Sequence, residues 1–204
     1  MVERQFSIWR RVPIITIITD SIEINAAWTR SPSDYFLITD DHTREGLITR
    51  NLPKEKMNIT GFPVSPRFES LEKVSPDDPL NPFRILFFPT ARSPHVTDII
   101  KAALSHENHI TVILGRNVRR LYRKVYSLKK SFPGRIHIKG WTRKVPELLS
   151  SHHLVIGKAG GATVHEAIAA QCPMLVHHIV PGQEEGNIEL LDRFQTGSLA
   201  TSAK

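Results

Sequence analysis

Apolar and polar positions fall into short blocks that switch between strand-like and helix-like periods. Residues 12–19 form a β-branched apolar run ending at Asp20, the pattern of a fully buried strand. Residues 35–39 repeat it, residues 43–50 read as a polar helix, and Ile59 opens a third short extended segment. Between Phe62 and Pro82 the pattern lapses, and Pro63, Pro66, Pro76, Pro79 and Pro82 stand among charged residues, as in a linker. Alternation then resumes, with strands predicted at 83–88, 111–114, 135–138, 154–156 and 174–178. Helices are predicted at 97–104, 117–128, 145–150 and 163–171, and another starts within the Gln183, Glu184 and Asn187 segment that follows Pro181-Gly182. In the second of these, Val118, Leu121, Tyr122, Val125 and Leu128 keep helical spacing. Strand and helix in alternation predict α/β architecture, with parallel sheets covered on both faces and ligands at the carboxyl ends of the strands.

Composition narrows this picture. The 204 residues are 40% hydrophobic and 23% charged, the balance of a chain that buries a core. No apolar run nears the ~20 residues that span a bilayer, and no leader pattern opens the sequence. The single cysteine, Cys172, has no intrachain partner. A reducing cytoplasm is the expected location. The net charge of +7 favours anionic partners, and it is concentrated: residues 110–146 hold eleven Lys and Arg and no Asp or Glu. A solvated helix face accounts for such a run, and an anionic membrane surface is the next reading. No nucleic-acid partner is expected, because no recognition motif or base-stacking series of aromatics accompanies the charge.

The densest chemistry lies at Leu154-Val155-Ile156-Gly157-Lys158-Ala159-Gly160-Gly161-Ala162-Thr163-Val164-His165-Glu166-Ala167. An apolar strand enters a turn with three glycines, and a small-residue helix follows at once. Glycine admits a tight turn and close ligand approach, and the first helical N–H groups face an anion, which together make a diphosphate seat. The same turn also suits an ordinary strand-to-helix connection. Glu166 has two readings as well: with Thr163 it has the spacing of a capping box, and one turn into a helix it is placed to accept both ribose hydroxyls. Downstream, a strand ends in Pro181-Gly182 followed by Gln183, Glu184 and Asn187, side chains able to hydrogen-bond sugar hydroxyls. His152-His153 and His177-His178 read as strand-edge residues. With no Asp-x-Asp and no metal-ligand spacing among the histidines, a metal-free site is expected.

The order of Gly140-Trp141, the glycine turn with its Thr-x-His-Glu-Ala helix, Pro173-Met174-Leu175-Val176 and Pro181-Gly182-Gln183-Glu184-Glu185-Gly186-Asn187 resembles one family. It is that of monogalactosyldiacylglycerol synthase and processive diacylglycerol glucosyltransferase, with the bacterial peptidoglycan GlcNAc transferase a more distant relative. In the front half, residues 13–20, Trp28, Asp34-Tyr35-Phe36 and Gly61-Phe62-Pro63-Val64 extend the likeness. The resemblance implies a GT-B fold of Rossmann-like parallel-sheet domains, the first incomplete. Residues 1–66 would be a partial acceptor-side domain, 67–82 the Pro-rich link and 83–204 the donor-binding domain. It further implies a UDP-sugar donor, with backbone near Thr142 and Arg143 on uracil, Gly160, Gly161 and Ala162 at the diphosphate, Thr163 among the nucleotide-sugar contacts, and Glu166 on ribose. Gln183 and Glu184 would hold sugar hydroxyls and Asn187 would support their loop.

Where the family has a glycine-rich turn after the link, this chain has residues 88–93, with Arg92 as a candidate phosphate ligand. The family's opening glycine-rich strand and loop, where the activating base is expected, and its closing helices have no counterpart here. Asp20 is the acceptor-side polar group nominated for catalysis; a turn or cap role is its alternative. The implied reaction is inverting transfer of a hexosyl group to a lipid such as diacylglycerol, by a cytoplasmic enzyme peripheral to the inner membrane face. A non-catalytic nucleotide-sugar-binding subunit, a degenerate remnant and a nucleotide-sugar epimerase are the competing expectations.

Overall fold

A computed structural model describes residues 12–21, 24–30, 32–74, 82–90, 95–116, 118–180 and 184–200. Its strands form two separate, wholly parallel sheets. The first contains β1 (Ile15–Ile17), β2 (Tyr35–Ile38) and β3 (Met57–Ile59), in that order. The helix α1 (Asp41–Ile48) joins the latter two. Asp40 starts it, because its Oδ1 accepts the Thr43 N–H at 2.8 Å. Ile18, Ile24, Phe36, Ile38, Leu47 and Met57 form a small core on one side of this sheet.

The second sheet is larger. In chain order it contains β4 (Arg84–Phe87), α3 (Val96–Ala103), β5 (His109–Ile113), α4 (Val118–Ser131), β6 (Ile136–Lys139), α5 (Val145–Ser150) and β7 (Leu154–Lys158). α6 (Gly161–Ala169), β8 (Met174–His178), α7 (Glu185–Arg193) and β9 (Gly197–Leu199) complete it. Preceding them, α2 (Arg67–Ser70) lies inside the Pro-rich stretch. The strand order β6-β5-β4-β7-β8-β9 is that of a doubly wound nucleotide-binding sheet.

Alternate residues of the central strands feed two cores. Ile85, Phe87 and Ile156 pack with Val96 and Ile100 of α3 and with Leu121, Val125 and Leu128 of α4. Leu86 and Val155 pack on the opposite face with Leu149, Val164, Ala167, Leu190 and Leu191. Phe68 of α2 joins this second cluster, and Val74 N–H donates to Ser150 O at 2.9 Å. Residues 67–74 of the stretch read as a linker are therefore fastened to the helical layer of the second sheet.

One expectation is corrected here, and one strand had none. Residues 12–19 are not a fully buried strand: β1 spans three residues at a sheet edge, and Ile15 and Ile17 are 53% and 46% exposed. An apolar run reports a strand's own character and not whether another layer covers it. The strand β9, with one apolar residue in three, has almost no sequence signature. Its register depends on Gly197, where a Cβ would stand 2.2 Å from Met174 O.

Candidate functional site

In this strand order the chain reverses direction of travel between β4 and β7, so their carboxyl ends part and leave a crevice. β7 delivers the glycine turn to that position. Gly157, Gly160 and Gly161 all lack positive φ, so tight turning does not explain the glycines. Close approach does at Gly161, where a Cβ would meet Thr19 O of the first sheet at 3.1 Å. The turn thus faces the contact between the two sheets.

α6 begins at Gly161 behind Gly160, with no side-chain cap. Its first intrahelical bond is Val164 N–H to Gly160 O at 3.0 Å. The N–H groups of Gly161, Ala162 and Thr163 have no acceptor among the described residues. They are oriented donors at the positive end of a nine-residue helix, the arrangement that receives a phosphate. Thr163 lies third in the helix rather than before it, so the capping box with Glu166 does not form. One turn in, Glu166 is half-buried, and its carboxylate has no hydrogen-bond or ion-pair partner among the described residues. Burial raises its carboxyl above the ordinary range. A carboxylate so placed is ready to accept from hydroxyls.

The downstream residues hold the turn in place. Asn187 Nδ2 donates to Ala159 O at 2.8 Å, while its buried Oδ1 has no partner among the described residues. Glu184 is buried, and Oε1 pairs with Lys158 Nζ at 2.5 Å while Oε2 accepts Val180 N–H at 2.9 Å. Both of its oxygens are therefore engaged with the protein. Thr142 and Arg143 follow β6 at the same carboxyl end of the sheet; Thr142 Oγ1 accepts Lys144 N–H, and the Arg143 guanidinium lies 5.5 Å from the Trp141 ring centre. Arg92 and Gln183 lie outside the described residues. Asp20 follows β1, and its Oδ2 accepts Trp28 Nε1–H at 2.6 Å.

One contributor to this region had no assigned role in the sequence reading. His165 stacks on Phe62 with ring centres 4.0 Å apart, its Nδ1 lies 2.8 Å from Gly161 O, and its Nε2 lies 3.3 Å from Ser21 Oγ. Burial lowers its pKa, against smaller upward effects from the Gly161 carbonyl and Asp40. The ring is therefore neutral at neutral pH, with Nδ1–H donating to Gly161 O and Nε2 accepting the Ser21 hydroxyl. A bulky polar residue in a helix of small ones was the available signal. The other histidine pairs are built into the fold: His152 Nε2 lies 2.9 Å from Thr111 Oγ1, His153 Nδ1 accepts Arg84 N–H at 2.9 Å, and His177 meets Phe87 edge-on.

Known proteins resemble this chain in sequence and in fold. The family model for monogalactosyldiacylglycerol (MGDG) synthase matches residues 2–64. A processive diacylglycerol beta-glucosyltransferase of Staphylococcus saprophyticus is 28% identical over 200 residues, 94% of this chain and 50% of that protein. One from Bacillus cereus is 27% identical, over 86% of this chain and 47% of that protein. The chain spans about half the length of these curated relatives. Among solved structures, Anabaena Alr3699/HepE in complex with UDP and glucose superposes with TM-score 0.54 at 15% identity, covering 93% of this chain and 58% of that one. A Listeria monocytogenes chain provisionally assigned as a UDP-N-acetylglucosamine 2-epimerase gives 0.60 at 15%, over 91% and 55%. At such identity these show the fold alone, which is of GT-B type. Along most of its length this chain is similar in sequence to processive diacylglycerol beta-glucosyltransferases, and over residues 2–64 it matches the monogalactosyldiacylglycerol synthase family model.

Proposed function

We propose that this chain supplies the donor site of a glycosyltransferase that moves a hexosyl group, with inversion, from a UDP-sugar to a lipid acceptor such as diacylglycerol. The observation that carries the reading is the set of three N–H groups at Gly161, Ala162 and Thr163, with the Glu166 carboxylate one turn further on, none of which has a partner among the described residues. The names of the curated relatives support the lipid acceptor. Residues 1–66 would form the acceptor side and 83–204 the donor side.

In this proposal the diphosphate lies across the start of α6 and the ribose hydroxyls donate to Glu166. An acceptor oxygen attacks the anomeric carbon as the bond to the UDP oxygen breaks, and negative charge grows on the leaving diphosphate. The α6 donors oppose that charge without rearranging, so no metal is invoked. Asp20 is the acceptor-side candidate for proton uptake: Trp28 holds Oδ2, which leaves Oδ1 for the hydroxyl.

Glu166→Ala should weaken UDP binding at least about tenfold, the value of one or two hydrogen bonds to a charged group, with an unchanged unfolding transition. Calorimetric titration giving equal affinities would remove the site assignment. Gly161→Val is the poorer probe, because its Cβ would press on Thr19 O at 3.1 Å and disturb the contact between the sheets. A second reading, a binding subunit without turnover, draws on the engagement of both Glu184 oxygens away from any sugar. Incubation with a UDP-sugar and diacylglycerol separates the two: release of UDP with glycolipid formation supports the enzyme, and binding without either product supports the subunit.

A further inference from the structure

We propose that the outer face of α4 is a docking surface for an anionic lipid membrane. The helix has 14 residues, a rod of about 21 Å at 1.5 Å per residue. Its inner face is fixed by Leu121, Val125 and Leu128, all buried against the second sheet and α3. Positions 119, 122, 123, 126 and 130 follow the i, i+3, i+4, i+7, i+11 spacing of one stripe on the other side. They are Arg119, Tyr122, Arg123, Tyr126 and Lys130, and every one is exposed.

Charge complementarity selects the occupant. The eleven cations of residues 110–146 meet no carboxylate there, and the rest of the chain holds 16 cations against 20 carboxylates, a net −4. The positive charge of the protein is thus regional, and α4 concentrates it along a line. Surface cations facing anionic lipid attract it singly and in sum, within a Debye length of the headgroups.

The two tyrosines favour lipid over nucleic acid. Their rings stack on each other with centres 5.2 Å apart and 18° between planes, and Lys130 Nζ lies 5.7 Å from the Tyr126 ring centre. Each ring has thus turned a face to its neighbour, whereas a base-stacking platform presents open faces. Amphipathic rings flanked by cations match the headgroup layer of a membrane. With no aliphatic side chain on the stripe, the contact is shallow and electrostatic.

The test is cosedimentation of the 204-residue chain with phosphatidylcholine vesicles, with and without phosphatidylglycerol, in the absence of nucleotide. A null result leaves the donor-site reading untouched. Binding is expected only with phosphatidylglycerol and should fall steeply with salt. The triple variant Arg119→Gln, Arg123→Gln, Lys130→Gln should lose at least about tenfold in affinity, given the roughly fivefold typical of each surface cation. A control triple, Lys54→Gln, Lys73→Gln, Arg193→Gln, removes the same charge from exposed sites elsewhere and should lose less than about threefold. Arg123→Glu alone serves if the first triple melts early. Equal losses in both triples, or equal binding to uncharged vesicles, would overturn the proposal. So would tighter binding to a single-stranded oligonucleotide than to the anionic vesicles.

Discussion

The two sheets share parallel pairing and differ in cover. Every central strand of the second sheet meets an apolar helix layer on each face, and Leu86, Val155 and Val176 have no exposed surface. The first sheet has one small core, and Val12, Ile15, Ile17, Tyr35 and Ile59 are all exposed. The same β-branched composition therefore contributes very differently to stability in the two places, because the hydrophobic gain follows area removed from water and not residue type. The comparison also assigns the labour: the second sheet is a rigid platform for the glycine turn, and the first leans on that platform through Thr19, Ser21 and Phe62.

The largest expected effect tests that difference in cover. Leu149→Ala, at a position with no exposure, should cost about 2–5 kcal/mol, while Ile17→Ala on the open sheet should cost less than about 1 kcal/mol. Urea unfolding compares them directly. Equal costs would mean that the first sheet is covered after all.

Acid provides a second lever, and its largest single effect falls within the second sheet. His152 is buried beneath α5, bonded to Leu148 O and Thr111, and burial is the main cause that holds its pKa down at about 4 against 6.5 when exposed. The Leu148 carbonyl opposes that shift, and Arg84, His153 and His137 add to it. The folded protein keeps the ring neutral, whereas the unfolded chain takes up a proton as pH falls through 6.5. Stability is therefore full above that value and drains between 6.5 and about 4, by roughly 3 kcal/mol in all. Unfolding free energies at neutral pH and near the lower limit measure this; a His152→Gln variant with the same pH slope would assign the loss elsewhere.

What the sequence made legible follows the same division. Strand and helix order in the second half was readable because each apolar block is short, is bounded by turn residues and meets its partners within one crossover. The glycine turn was readable for that reason, although close approach, and not turning, is what explains Gly161. α2 escaped because four residues among prolines have no period, and its one anchor, Phe68, is recognisable only once α5 and α6 exist to receive it. The exposure of β1 and the role of His165 share a deeper cause. Both depend on residues far away in the chain, Ser21 and His165 being 144 positions apart, and no local pattern encodes such a pairing.

That long-range pairing gives the smallest expected effect and the sharpest test of how the sheets are joined. Ser21 is buried, and its hydroxyl is the partner of His165 Nε2 at 3.3 Å. Ser21→Ala removes one hydrogen bond and leaves the imidazole stacked on Phe62, so the global loss should be only about 0.5–1.5 kcal/mol. Its distribution is the informative part. If the first sheet leans on the second through this contact, amide exchange should quicken at Ile17 and Leu37 and stay unchanged at Val155 and Val176. Uniform acceleration in both sheets would show one cooperative body, and the division of labour between platform and leaning sheet would fall.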